Sequence, residues 1–392
     1  MTARPTRRVR SGVGDIRLRR LLLQLAVVLV TVAAGVYLFG NVQRNLQQLG
    51  ITPGFDFLRH PASFAIGESS IPYQATDPYG RAFLAGLVNT LRVAVLGVVL
   101  ATAVGVVAGL ARLSANGLVR LLASLYVELT RNTPLLLQLF FWYGAIVYTL
   151  PPASQALALP GSVFLMNRGL VLPAPRPGPG FPTAVAILGL ALVAAVTAYR
   201  ILLRKRLEEG RETRPGLVAL GLLAAGGLAA VILPAGPALV LERPQLARFN
   251  FQGGLMLSAE FTALLLALVI YTGAFIAEVV RGGVLAVPRG QWEAARSLGL
   301  SPFLVQRLVV FPQALRIIVP PLTSQYLNLI KNSSLAMAVA FPDLLNVSST
   351  IVNQTGRTLE MLLLVGATYL AFSLLTSLLM NLYNRSLRRG VA

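Results

Sequence analysis

The chain has 392 residues, of which 55% are hydrophobic and only 12% charged, about half the charged share of an ordinary soluble domain. That excludes a soluble globular protein and describes an all-α polytopic membrane protein. The formal charge of +20 does not describe a nucleic-acid-binding surface, because the basic residues are dispersed between apolar runs and form no patch with stacking aromatics. The absence of cysteine excludes disulfides and thiolate metal sites, and one histidine, His60, leaves no histidine-based metal site or catalytic relay.

Seven arginines, Arg4, Arg7, Arg8, Arg10, Arg17, Arg19 and Arg20, precede an apolar run from Leu21 to Phe39. The run is close to the ~20 residues a span requires and no clear small-residue cleavage site follows, so it reads as an uncleaved first span with its amino terminus inside. From Gly40 to Tyr79 the composition turns polar, with Pro53, Pro61, Pro72 and Pro78, and an external loop is expected. Phe83 to Leu110 is a second span rich in glycine and alanine. Its Gly105 and Gly109 form a small-xxx-small pair that marks close helix packing.

The third hydrophobic region, Leu118 to Leu150, is interrupted at Glu128–Pro134, where proline disturbs the helix. Glu128 and Arg131, three residues apart, fall on one helix face. Either they satisfy one another at the bilayer interface or, with Asn132 and Thr133, they belong to a polar path. Pro151 to Pro182, dominated by proline and glycine, is expected to be an irregular external loop. Thr183 to Leu203 and Leu217 to Leu241 are two further spans joined by the charged segment RKRLEEGRETRP.

After the span Phe261 to Val280 comes a polar helical block. Between Arg289 and Pro302, Trp292, Ala295, Leu298 and Leu300 recur at roughly helical spacing, opposed by Gln291, Glu293, Arg296 and Ser301, which describes a short amphipathic helix ended by Gly299. Held between two spans, such a helix suits a groove on a separate protein. The next span, Val309 to about Leu335, contains Pro320 and Pro321, expected to bend or break it. Beyond them Ser324, Asn328 and Lys331 lie on one face, bordered by Gln325 and Asn332. An intramembrane lysine needs a carboxylate or water, which favours a water-lined path over simple helix packing. Met361 to Tyr383 completes about eight transmembrane helices. Counted from an inside start, both termini and residues 111–117, 200–214 and 281–307 are cytoplasmic, and the arginine-dense segments gather there.

The letters of the polar block carry a resemblance. Glu293, Ala294 and Ala295, then Gly299, Val309 and Phe311 with Pro312, resemble the EAA loop of ABC importer permeases. GLVNTLRVAVLG, YVELTRNTPLLLQLFFWYG, YTGAFIAEVVRGGV and YLNLIKNSSLA resemble the polar amino-acid (HisMQ-type) branch. Residues 82–145 and 257–385 match well. The longer form, with GFDFLRHPASFAIGESSIPY, is similar to permeases of general L-amino-acid or glutamate/glutamine/aspartate/asparagine uptake systems of Gram-negative bacteria.

The resemblance implies a type I ABC importer permease core in the bacterial inner membrane, divided into residues 1–81 (first span and periplasmic loop), 82–145 (core), 146–256 (periplasmic loop and inserted span pair) and 257–392 (core with the coupling helix). It implies coupling to an ATPase through Glu293, Ala294, Ala295, Gly299 and Pro312, and a substrate path along Arg131, Asn132, Thr133, Ser324, Asn328, Lys331 and Asn332. The implied partners are a second homologous permease subunit, an ATP-binding subunit dimer, a periplasmic amino-acid-binding protein and membrane lipid. The chain has no GxxxxGK[ST] stretch, so ATP and Mg belong to the partner ATPase and no cofactor is expected here. A secondary transporter or channel using the same polar stripe is the competing reading. A membrane-embedded enzyme is disfavoured by the lack of a nucleophile–base constellation.

Overall fold

The structure is a computed structural model that describes residues 13–48, 54–209, 213–247 and 250–389. Arg4, Arg7, Arg8, Arg10 and Arg211 lie outside the described residues. Helix α1 (Val13–Gln48) is followed by α2 (Tyr79–Ala111), α3 (Gly117–Asn132) and α4 (Leu135–Gly144). Helices α5 (Phe181–Glu208) and α6 (Pro215–Ile232) form a hairpin, and α7 (Ala259–Leu285) leads to the short α8 (Arg289–Ser297). A single turn, α9 (Pro302–Leu304), widens through Val305–Val310 into α10 (Phe311–Asn332), and α11 (Leu344–Thr355) and α12 (Thr358–Arg389) end the chain. Among the described residues seven helices are long and apolar enough to cross a membrane. The remaining hydrophobic region, the third in chain order, is the composite of α3 and α4.

Helix α7 is the axis of the bundle, with α2, α3, α4 and α10 packed on it. The α2–α7 approach depends on glycine. A Cβ at Gly105 would stand 2.5 Å from Ile276, and one at Gly109 2.7 Å from the Ala277 carbonyl, so the small-xxx-small pair is the seam between these helices. On one side of the bundle Phe261, Leu264 and Leu268 of α7 pack with Leu135 and Leu139 of α4 and with Phe341. At the other end Val280, Val284 and Val287 pack with Ala295 of α8, Val305 and Val310.

Proline breaks the third hydrophobic region as expected, and the chain repairs the break with one side chain. Thr133 is extended ahead of Pro134, as a residue before proline must be. The buried Gln138 donates from Nε2 to the carbonyls of Thr130 (2.9 Å) and Thr133 (3.0 Å), satisfying acceptors that the ended helix leaves free.

Several expectations are corrected. Residues 40–48 continue α1 as helix, so the loop begins later than Gly40. The segment Pro151 to Pro182 is not irregular. Strands β1 (Leu157–Leu159), β2 (Val163–Met166) and β3 (Gly169–Leu172) pair in order with β8 (Leu255–Ser258) as a four-stranded antiparallel sheet. Strand β4 (Ala174–Pro177) pairs with β5 (Leu239–Glu242), and β6 (Gln245–Ala247) with β7 (Asn250–Gln252). The prolines stand in a short ribbon whose partner lies 60-odd residues away, which local sequence cannot reveal. The fifth apolar run accordingly ends as helix at Ile232, and Leu239–Leu241 belong to β5.

Helix α10 runs unbroken through Pro320 and Pro321, both on its exposed side, as membrane helices tolerate. The sequence reading assigned no element to α11. Asp343 caps it by accepting from the Asn346 amide (2.8 Å), and Gly356 ends it at φ +68°, start and stop signals of the ordinary kind.

The segment before α2 lies across the β-sheet side of the bundle, held by the buried Asn89. Its Nδ2 donates to the carbonyls of Glu68 (2.8 Å) and Pro342 (2.9 Å), while its Oδ1 accepts from the Ser70 amide and hydroxyl. All its hydrogen-bonding capacity is thereby used. Arg92 closes the tie, pairing with Glu68 at 2.7 Å and lying 4.3 Å from the centre of the Phe261 ring.

Candidate functional site

Helix α8 stands at the far end of α7 from the β-sheets, displayed between α7 and α10. Its end is a Schellman cap. The Leu300 amide donates to the Ala295 carbonyl (3.4 Å) and the Gly299 amide to that of Arg296 (2.9 Å), with Gly299 left-handed at φ +75°. A Cβ at Gly299 would meet nothing within 4 Å. The glycine is therefore required by backbone conformation and not by close approach.

Ala295 is buried, and Trp292 and Leu300 pack partly against the same cluster. Leu298 departs from the expected apolar side. It is 79% exposed, and with Glu293 and Ala294 it forms the outward face of α8. Gln313 donates to Gln291 across 3.1 Å, tying α8 to the start of α10, where the exposed Pro312 sits in the first turn. A cleft of about 400 Å³ lined by Val287, Arg289, Trp292, Glu293 and Arg296 runs beside the helix. A helix pinned on one side by a buried alanine and a tryptophan, with charge and an unpartnered leucine on the other, can transmit a push without bending.

The polar residues form two sets on different helices, both braced on α7. Ser324, Asn328 and Lys331 all lie on the exposed side of α10, with Asn332 partly buried. Among the described residues no side-chain hydrogen bond or ion pair joins Ser324, Asn328 or Lys331 to another helix, so packing within this chain does not account for the stripe. The other set is Arg131, Asn132 and Thr133 at the end of α3. Thr133 donates to the Leu129 carbonyl (2.8 Å), and Asn132 is exposed.

Of the two readings of Glu128 and Arg131, the mutual pair does not form. Glu128 is exposed, whereas Arg131 turns to α7, 3.7 Å from Glu278. Glu278 also accepts from Arg281 at 2.6 Å and from Arg112. The sequence reading missed this cluster. Glu278 and Arg281 sit at i and i+3 in the quoted segment YTGAFIAEVVRGGV, and an acid within an apolar run was the signal available.

With this geometry in hand, the chain compares closely with known proteins. Residues 101–389 match the family described as "binding-protein-dependent transport system inner membrane component". The chain is 46% identical to YhdX of Escherichia coli (strain K12), a protein named provisionally as an amino-acid ABC transporter permease, over 94% of this chain and 93% of that one. It is 43% identical to AapQ of Rhizobium johnstonii, named as a general L-amino acid transport system permease protein, over 96% and 94%. A solved structure titled as an amino acid ABC transporter with histidines aligns with 79% of this chain and 95% of that chain, at 24% identity and a TM-score of 0.46.

Proposed function

The chain belongs to the family of binding-protein-dependent transport system inner membrane components, and we propose that it is the permease subunit of an ATP-driven importer that carries polar L-amino acids across the bacterial inner membrane. The observation that carries the reading is α8: a capped amphipathic helix with Glu293, Ala294 and the bare Leu298 outward, presented at the end of the bundle opposite the β-sheets. This face docks on the ATPase subunit. The amino-acid substrate follows from the relatives' names, AapQ and BztB of Rhodobacter capsulatus among them.

In this reading ATP and Mg act in an ATP-binding subunit dimer, and a second homologous permease and a periplasmic amino-acid-binding protein complete the assembly. Both termini lie in the cytoplasm and the β-sheets face the periplasm. Closure of the ATPases pushes α8, and α7 and α10 carry the displacement into the bundle. The face of α10 bearing Ser324, Asn328 and Lys331 lines the path, where the Lys331 ammonium attracts the substrate carboxylate. Residues 82–145 and 257–392 are the working core, and the α5–α6 pair is a lateral elaboration.

The test is reconstitution in liposomes with an ATP-binding subunit, a second permease subunit and a periplasmic binding protein from the same organism. Amino-acid uptake should need ATP, the ATPase and the binding protein together. Uptake by this chain alone, driven by an ion gradient, would establish a secondary transporter and sink the proposal.

A further inference from the structure

Between the candidate coupling helix and the candidate path lies a charged cluster that the account so far leaves without a role. Glu278 stands on α7 about two turns before its end. Arg112, which caps α2, and Arg281, one turn along α7, both hydrogen-bond to it. Arg131 comes from α3 and is the outlying member. Its 3.7 Å separation from Glu278 Oε2 is too long for a hydrogen bond, and its guanidinium lies 5.1 Å from the centre of the Phe275 ring. The Arg131 side chain is 39% exposed, against 12% for Arg112.

Three guanidiniums thus share one carboxylate whose short hydrogen bonds are taken by two of them. Arg131 is held by charge and ring stacking alone, so it is the arm that releases most readily. The position is equally particular. Beyond Glu278, Val280 and Val284 of α7, with Val287 just past its end, join the cluster that contains Ala295 of α8, while Arg131 immediately precedes Asn132 and Thr133. A displacement of α8 reaches Glu278 through packed side chains on one continuous helix, and Arg131 is where it passes to α3.

We propose that the Arg131–Glu278 contact is a releasable latch between α3 and α7. Engaged, it holds the end of α3 against the axis of the bundle. Released, it frees the segment Arg131–Pro134 to follow the change of access. Arg131 is in this sense a positioning residue and Glu278 its counter-charge. The inference rests on the permease reading above.

The experiment uses the full reconstituted importer and measures ATP hydrolysis and amino-acid uptake in the same vesicles, with and without the binding protein. Wild-type uptake tests the permease reading by itself, so failure of that reading is seen before any variant is compared. Arg131→Gln should raise hydrolysis without the binding protein, and ATP hydrolysed per amino acid imported, by about fivefold, the low end of a coupling between sites. Glu278→Asp withdraws the carboxylate by one methylene, keeps its neighbour Arg281 and loses the longest arm first. It should reproduce the Arg131→Gln effect, and the double variant should be no worse than either single change. Wild-type coupling ratios in both variants would overturn the latch. So would additive effects, or a raised KM for the amino acid in Arg131→Gln that Glu278→Asp does not share, which would make Arg131 a substrate contact. If the two variants lower only the yield of assembled importer at an unchanged ratio, the cluster is structural and the proposal falls.

Discussion

Helices α2 and α7 bury 39% and 61% of their apolar spans, whereas α5 and α6, equally able to cross a membrane by length and composition, bury 6% and 17%. Both pairs are rich in glycine and alanine. In α2 and α7 the small residues meet a neighbour, Gly105 against Ile276 and Gly109 against Ala277, and buried polar groups such as Asn89, Thr90, Thr262 and Thr272 accompany them. In the hairpin only Gly226 meets a partner, Ala191, while Gly189, Gly216, Gly221 and Gly227 face open space. Among the described residues neither helix of the hairpin holds a buried polar residue. Lipid is as apolar as leucine, so hydropathy identifies a span without saying what touches it; close approach and satisfied polar groups mark the core.

The largest effect should come from filling the seam between α2 and α7. Gly105→Val places a branched side chain where Cβ alone stands 2.5 Å from Ile276 and 2.8 Å from the Gly273 carbonyl. Overpacking of this kind costs ~1–3 kcal/mol or more. The thermal midpoint of the detergent-solubilised protein should fall and its folded yield collapse, while Gly189→Val in α5 leaves both unchanged. Equal behaviour of the two variants would erase the contrast between the pairs.

The next effect concerns α8, which the α7 end of the core holds in place. Gly299→Val forces a β-branched residue to φ +75°, at a cost of ~1–2 kcal/mol or more, and unwinds the cap. Uptake should be lost while insertion and yield stay normal. Leu298→Glu alters a side chain that is 79% exposed and should cut uptake about tenfold, the loss of ~1.4 kcal/mol at a docking surface, with an unchanged melting curve. Full uptake by both variants would remove the basis of the coupling assignment.

Smaller again is the effect expected at Lys331. Lys331→Met should weaken substrate affinity about fivefold, in proportion to one solvent-accessible charged contact of ~1 kcal/mol, and Lys331→Arg should keep most of it. Unchanged affinity and rate in the methionine variant would make the stripe packing.

Asp343 sharpens the core side of the comparison through pH. Burial pushes its carboxyl up to about 7 from an ordinary 3.8, against the lowering pull of backbone amides at the cap of α11. A raised folded pKa means that its stabilisation is fully present below about pH 4 and is lost as pH rises towards 7. Asp343→Asn should therefore flatten the fall in thermal midpoint between about pH 4 and pH 7. An unaltered pH profile would show that another group sets it.

The smallest effect should follow from removing the hairpin. The β4–β5 ribbon sets where to cut: β5 begins at Leu239, and the Gly178 amide donates to the Ala238 carbonyl at 2.9 Å. A chain lacking residues 179–236, closed by a short glycine–serine turn, keeps the β4–β5 ribbon and the orientation of every remaining span. ATP-dependent uptake should persist at a measurable rate. Complete loss in a correctly assembled importer would place α5 and α6 with the core.

Much of the site was legible because it rests on local rules. The amphipathic spacing at Trp292 and Ala295 and the stop at Gly299 are short-range, and all appear in α8. Leu298 was misassigned because the Schellman cap turns the chain at the last helical position, so helical periodicity no longer gives its direction. The Glu128–Arg131 pairing failed for a different reason: Glu278, far along the chain, offers Arg131 a better-sheltered partner with two other arginines already gathered.

The amino-acid sequence by itself determined the membrane class, the position of the spans, the break at Pro134 and the amphipathic helix between α7 and α10, because composition, run length, proline geometry and helical period act within a few turns. Only tertiary structure decided that α7 is the axis and that Glu278 collects Arg112, Arg131 and Arg281. It also decided that prolines 175 and 177 lie in a β-ribbon and that α5 and α6 pack on each other. Each of these depends on which distant segment arrives alongside, and apolar runs in an apolar solvent carry no mark of their neighbours until small and polar side chains meet.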